Sequence, residues 1–262
     1  MRVGRLGRFR YSVIGGTSLL AILALAATPA LSGEKTGRLV LELGGGGAAA
    51  PRYEGASSYM LSPYPSIRLK KLNFGALDIG GSESGFFVKP SFRFVDRRDA
   101  SDDASLTGLN AVSRSIELGL GAGYEWQSFR VFGDLRKGIS GHKGWVGEAG
   151  ADVILRPAEK WTVSAGPRLS FADSTYMNTY FGVTAAESAA SGMPAFSAGG
   201  GVKSIGVEAL VRYDANEHWA IEGGAGYARL IGDAANSPVT RAGSADQFTA
   251  KIGLIRKFDI QF

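Results

Sequence analysis

Three places in the 262-residue chain gather residue types able to do chemistry. Ser140 and His142 share the segment Gly138-Ile139-Ser140-Gly141-His142, a hydroxyl close to a base. Hydrolysis of an ester or lipid would also need an orienting acid and an oxyanion donor within about 3 Å of the reacting atoms. The segment supplies neither, and a solvated glycine-rich turn explains it more simply. Asp99, Asp102 and Asp103 offer three carboxylates, without the spacing or the glycine of a calcium-binding loop. Gly119-Leu120-Gly121-Ala122-Gly123 has glycines at dinucleotide-loop spacing. That fingerprint requires a strand before it and a helix after it, whereas this stretch continues as a strand to Trp126. His218, between Glu217 and Trp219, occupies a turn position. With no Cys and only two His, thiol nucleophiles, iron–sulfur clusters, Cys-based zinc sites and disulfides are excluded. Neither a catalytic set nor a cofactor is expected.

The elements that would hold such residues are strands. Glycine accounts for 38 residues, about twice the usual share, with 9 Pro and 10% aromatics, which suits many strands and turns. The net charge of +5 comes largely from the N-terminus. Arg2, Arg5, Arg8 and Arg10 precede the first acid, Glu34; without them 25 Lys and Arg face 24 Asp and Glu. No basic cluster interleaved with aromatics remains, so a nucleic-acid partner is not expected. Residues 1–32 have the form of a cleaved signal peptide. It has a positive start, a short apolar run over 19–27, and small residues Ala30 and Ser32 before the cleavage point. The run is too short, and too broken by Gly15, Gly16 and Pro29, for a transmembrane helix.

Beyond residue 35 the dominant pattern has period two. Ile116, Leu118, Leu120, Ala122, Tyr124 and Trp126 alternate with Glu117, Gly119, Gly121, Gly123 and Glu125. Comparable alternation runs through 161–171 and 205–213. Successive strand side chains point to opposite faces, so each segment has one apolar and one small or polar face. Short turns at 127–128, 157–160 and 214–217 alternate with longer loops near 97–112, 138–144, 173–200 and 230–246. Trp126, Trp145, Trp161, Tyr213, Trp219 and Tyr227 lie at segment ends, as in the aromatic girdles of membrane barrels.

The last segment places Phe248, Ala250, Ile252, Leu254, Phe258, Ile260 and Phe262 on one face, with a local break expected at Ile255 and Arg256. A terminal Phe on an alternating strand resembles the signal read by barrel-assembly machinery, which assigns Phe258, Ile260 and Phe262 that role. The expected fold is therefore all-β, a transmembrane antiparallel up-and-down β-barrel over residues 33–262. Ten to twelve strands are expected. A phase slip at Lys70–Lys71 leaves open one bulged strand over 60–80 or a turn at Lys71–Asn73.

Several blocks go beyond a generic barrel. They are Pro51-Arg52-Tyr53-Glu54-Gly55, Tyr176-Met177, Tyr180-Phe181-Gly182-Val183-Thr184, Ser191-Gly192-Met193-Pro194-Ala195-Phe196, Leu230-Ile231-Gly232-Asp233, Ser237-Pro238 and Gln247-Phe248. In this order they resemble the MltA-interacting protein (MipA/OmpV) family over nearly all of the mature chain. Val95-Asp96-Arg97-Arg98 departs from the family in lacking a Gly before the Arg, which puts the following loop in doubt.

The resemblance implies a non-enzymatic barrel in the Gram-negative outer membrane, in contact with its lipid. It would bring a lytic transglycosylase and a bifunctional penicillin-binding protein together in peptidoglycan remodelling. A narrow pore, an osmoregulated channel or an adhesin is the alternative, and a lipid hydrolase using Ser140 and His142 a third. The family carries no catalytic residues. Within loop 173–200, Tyr176, Met177, Tyr180, Phe181, Gly182, Val183, Ser191, Gly192 and Pro194 are candidates for a partner surface or for a plug folded back into the lumen. A short helix is expected over 185–190.

Overall fold

The computed structural model describes residues 37–74, 77–80 and 85–262. The signal peptide expected over 1–32 lies outside them. The described chain forms one antiparallel sheet of eleven strands. These are β1 (Gly37–Pro51), β2 (Tyr59–Phe74), β3 (Leu77–Gly80), β4 (Gly85–Val95), β5 (Ser115–Glu125), β6 (Phe129–Gly138), β7 (Trp145–Ala158), β8 (Trp161–Ala172), β9 (Gly201–Asp214), β10 (Trp219–Leu230) and β11 (Asp246–Gln261). Neighbours in sequence are neighbours in space, and β1 also pairs with β11 from Arg38↔Gln261 to Ala49↔Ala250. First and last strands thus join the sheet into a barrel, with β2 and β3 approaching β4 at the remaining seam. No ladder joins β2 to β4 among the described residues. These two strands carry Pro63, Pro65 and Pro90, which have no N–H to give a neighbour.

The strand count follows from direction. Ten long strands alternate up and down, as an even-numbered barrel requires when both termini share one end. β3 has only four residues, pairs with Lys71–Phe74 and runs in the same sense as β4. Lys71, Leu72 and Asn73 are thus strand residues paired with β3, and no turn falls at Lys71–Asn73. Lys70 is nevertheless a bulge, because Val40 faces Lys71 while Leu41 faces Leu69.

All five long connections lie at one end and the short turns at the other. Outward side chains are apolar and uncovered by protein, among them Leu61 at 83% exposure, Phe86 at 69% and Ile252 at 63%. A belt this continuous belongs in lipid, where the closed ladder satisfies the backbone. Aromatics flank it. At the turn end Tyr124, Trp126 and Phe129 stack, as do Trp161 with Tyr213 and Phe74 with Phe262. Trp145 and the Tyr227–Phe248 pair lie towards the loop end. At Ile255 and Arg256 the apolar pattern breaks as expected while the strand continues without a change of register. Ile255 is buried inside, while Arg256 continues the outer face with its guanidinium over Trp219 and Phe258. An interfacial cation held by aromatic faces accounts for its place among apolar neighbours.

The glycine-rich face is the inner one. A Cβ at Gly121 would collide with the Asp134 carboxylate and the Lys89 chain, so the bare strip of β5 makes room for neighbours' side chains. Apart from the wall, the apolar core sits at the loop end. It is built around α1 (Ser174–Phe181), α2 (Ala185–Ser191) and the short α3 (Gly232–Asn236) and α4 (Pro238–Ala242).

Candidate functional site

The inward face of the strands carries charges that pair across the lumen. Arg212 donates to Glu42 at 2.8 and 3.0 Å, and Arg68 to Glu222 at 2.7 Å. Lys251 and Arg168 share Glu208 at 2.7 and 3.2 Å, and Arg168 also reaches Asp152 at 2.8 Å. Lys89 meets Asp134 at 3.2 Å. Lys89, Arg130 and Arg168 surround the Phe132 ring, 5.0–5.6 Å from its centre. The interior is thus a lattice of ion pairs. In a low dielectric each charge needs such a partner to be tolerated at all.

At the loop end the lattice meets α1. Asp173 starts that helix, its carboxylate accepting from the Tyr176 N–H at 2.8 Å. The spacing of Tyr176, Met177, Tyr180 and Phe181 puts all four on one side, and all four are buried. Arg93 on β4 donates to the Tyr176 hydroxyl at 3.0 Å, and Lys203 stands 5.5 Å from the centre of the same ring. Lys203 points inward because a bulge falls there: Ser204 faces Ser170 while Val202 faces Phe171. The His142 ring lies edge-on to Tyr176 and Tyr180, at 4.7 and 5.6 Å. Arg98 donates to the Tyr180 carbonyl and Ser237 to that of Phe181. α1 is therefore fastened from three other loops, through Arg98, His142 and Ser237, and from strands β4 and β9.

Glu117 is the hub beneath it. Fully buried, its carboxylate accepts from Arg93 at 2.8 and 3.0 Å and from Arg136 at 3.1 Å, with His142 Nε2 at 3.1 Å. A second tie runs from Lys203 Nζ to Glu54 at 2.6 Å. Burial would raise the Glu54 carboxyl, but Lys203 and Arg93 hold it below the ordinary carboxylate range. Burial also raises the phenols of Tyr176 and Tyr180, helped by the Glu54 charge, so both stay neutral.

The remaining blocks singled out in the sequence lock loop to loop. Thr184 and Glu187 form a capping box on α2, and Glu187 also accepts from the Asn110 N–H at 2.8 Å. Val183 and Phe196 exchange backbone hydrogen bonds at 2.8 Å. Gly55, at φ 94°, donates to Gln247 Oε1 at 3.2 Å and accepts from the Ser244 N–H at 2.7 Å. Asp233 accepts from the Gly199 N–H at 2.7 Å.

Of the loop residues named from sequence, Tyr176, Met177, Tyr180, Phe181 and Val183 are buried and Gly182 half-buried. Only Gly192 and Pro194, with half-buried Ser191, reach the surface; Gly192 ends α2 at φ 77°. The expected helix over 185–190 is α2, and α1 was not anticipated. At the other end Ile260 and Phe262 are exposed on the outer wall and Phe258 half-buried; Gly37 N donates to Phe262 O at 2.9 Å.

The Ser140–His142 pair is not assembled. The Ser140 hydroxyl accepts from the Ile116 N–H at 3.0 Å, while His142 turns to Glu117 and is 1% exposed. The Gly119–Gly123 run is β5 itself. Asp103 caps a short 3-10 turn, Ala104–Leu106, and Asp99 accepts from the Ser101 N–H at 2.8 Å. His218 sits in a turn where Asn216 Oδ1 accepts from two backbone N–H groups. Arg98, in the segment departing from the family pattern, is 3% exposed and bridged to Val112. Sequence reasoning missed Arg93, Glu117, Arg136 and Lys203 as a set. Their signal was a charge on the face opposite the lipid.

The family of the MltA-interacting protein MipA matches residues 43–258. The chain belongs to that family. The match takes in β2 to β10 entirely, β1 from Leu43 and β11 as far as Phe258. No curated protein sequence matches. Solved structures with similar folds include an outer-membrane channel from Pseudomonas putida F1 (12% identity, 84% of this chain and 95% of that one, TM-score 0.45). Others are the translocator domain of the autotransporter NalP from Neisseria meningitidis (10%, 85% and 89%, 0.42) and Neisserial surface protein A (12%, 83% and 97%, 0.30).

Proposed function

We propose that this MipA-family barrel is a non-catalytic outer-membrane scaffold for peptidoglycan remodelling. Residues 1–32 export the chain, and the strand ending in Phe258, Ile260 and Phe262 addresses it to the barrel-assembly machinery. The short-turn end then offers a lytic transglycosylase and a bifunctional penicillin-binding protein a common dock. Family membership over 43–258 is the observation that carries this reading. The unassembled Ser140–His142 pair supports a non-enzymatic role. Loop 173–200 serves as the plug that closes the opposite end.

Affinity purification of the tagged barrel from cross-linked envelopes tests the scaffold. Both classes of murein enzyme should be recovered, and recovery of neither overturns it. The charged lumen favours one further reading, a narrow channel gated by α1. Under that reading planar bilayers would show conductance that rises when residues 174–191 are removed.

A further inference from the structure

Besides the lumen and the plug, the outer wall carries a dent. On β7 to β10, in the half of the barrel nearer the loops, a groove of about 680 Å³ opens directly onto the lipid-facing surface. Its floor is small, with Ala149 and Ala151 recessed between bulkier outward neighbours, and its sides are Leu169, Ile205, Val207 and Tyr227. The cause lies in the backbone. Pro167 stands mid-strand with no N–H to donate, and the β7–β8 ladder skips from Gly150↔Arg168 to Val153↔Ala165. There Gly166 lets the strands close in, and Arg168 reaches back to the Ala151 and Pro167 carbonyls at 3.4 and 3.0 Å. The register rows Ala149–Leu169–Ile205–Arg229 and Pro167–Val207–Tyr227 run along the groove across these strands. Three strand spacings make it ~14 Å long.

The groove ends at a cation. Arg229 borders it near the loop end of β10 and uses Nη1 on Asp246 at 2.7 Å, which also accepts from the Tyr227 hydroxyl at 2.7 Å. The guanidinium is more than half exposed beside that carboxylate, so part of the fork stays open to an anion. An apolar trough inside the lipid belt that leads to an arginine at headgroup height has the polarity of a phosphorylated lipid.

We propose that this groove is a specific binding site for one acyl chain of a phosphate-bearing membrane lipid, with the phosphate on Arg229. Binding would be preferred over bulk lipid because the dent lets the chain contact protein on three sides, where a smooth wall offers one. The site does not depend on the scaffold reading.

Purified protein in detergent is offered dioleoyl phosphatidic acid or, separately, uncharged diolein, and the lipid retained is counted by native mass spectrometry. The wild type should hold one phosphatidic acid at least fivefold more strongly than diolein. Ala151→Phe fills the floor and should abolish retention; Ala149→Leu does the same by a smaller change, should the first variant fail to assemble. Arg229→Gln should remove the preference for phosphate and leave weak retention of both lipids. Equal retention by the wild type and either floor variant, or no preference for phosphatidic acid in the wild type, overturns the assignment. Heat-modifiable migration on gels confirms that each variant is folded.

Discussion

The Glu117 hub invites the sharpest test. Glu117→Gln preserves volume and one acceptor oxygen while deleting the charge that faces Arg93, Arg136 and His142. Removing one partner of a buried ion pair costs about 3–5 kcal/mol, because the opposite charge is left without compensation. Arg136 is 9% exposed and pays nearly the full penalty, whereas Arg93 is a third exposed and recovers part of its solvation from water. The lower end, about 3 kcal/mol, is therefore expected, corresponding to ~150-fold in the unfolding equilibrium. Urea unfolding in liposomes, followed by tryptophan fluorescence and by heat-modifiable gel migration, measures it. Limited proteolysis of residues 173–200 should report loosening of α1 at lower urea than the barrel itself. A cost under about 0.5 kcal/mol, the range of surface substitutions, would refute the claim that the carboxylate organises this end.

Four further outcomes follow from the same geometry. Tyr176→Phe removes the hydroxyl that Arg93 donates to, and should weaken α1 by about 1.5 kcal/mol. Hydrogen exchange should rise in 174–181 and not in the strands. Glu54 has a depressed carboxyl, so its contribution is fully present above the unfolded value near 4.3 and is lost as pH falls through the folded one. Protease protection of loop 173–200 should accordingly stay flat from pH 7 to about 5 and fall only in stronger acid, and Glu54→Gln should flatten that fall. Gly121→Val forces a side chain against Lys89 and Asp134 and should destabilise by about 1–3 kcal/mol in the same urea assay. Deleting Phe262 removes its stack on Phe74 and the proposed assembly signal; less heat-modifiable barrel should then appear in outer-membrane fractions, and an unchanged amount would contradict that role.

The wall was legible because its grammar is local. Each outward residue from Ile116 to Trp126 is specified by the lipid beside it, and the period of two exposes that without knowledge of any neighbour. Direction-dependent features were harder. Arg256 interrupts the apolar pattern because hydropathy alone does not register a guanidinium resting on Trp219, and one strand or two over 60–80 stays open because the four residues of β3 carry too little alternation to decide. The lumen was illegible for another reason. Glu117 bonds Arg93 across 24 residues and Glu54 bonds Lys203 across 149, and nothing in either local sequence names the other.

The first loop helix, α1, shows why those distant pairs matter. α1 has only eight residues, too few to hold a helix by itself, so its position depends on tertiary contacts. Its aromatic face supplies adhesion, but an apolar face could settle in several orientations over an open mouth. The charged groups remove that freedom. Arg93 reaches the Tyr176 hydroxyl only if the ring points at β4, and Lys203 sits over the same ring only because a bulge turns it inward. Burial drives the helix down, and the ion-pair lattice selects one pose. On that argument, exchanging Met177 for another apolar residue should leave the protease protection of α1 unchanged, whereas moving a single lumen charge should lower it.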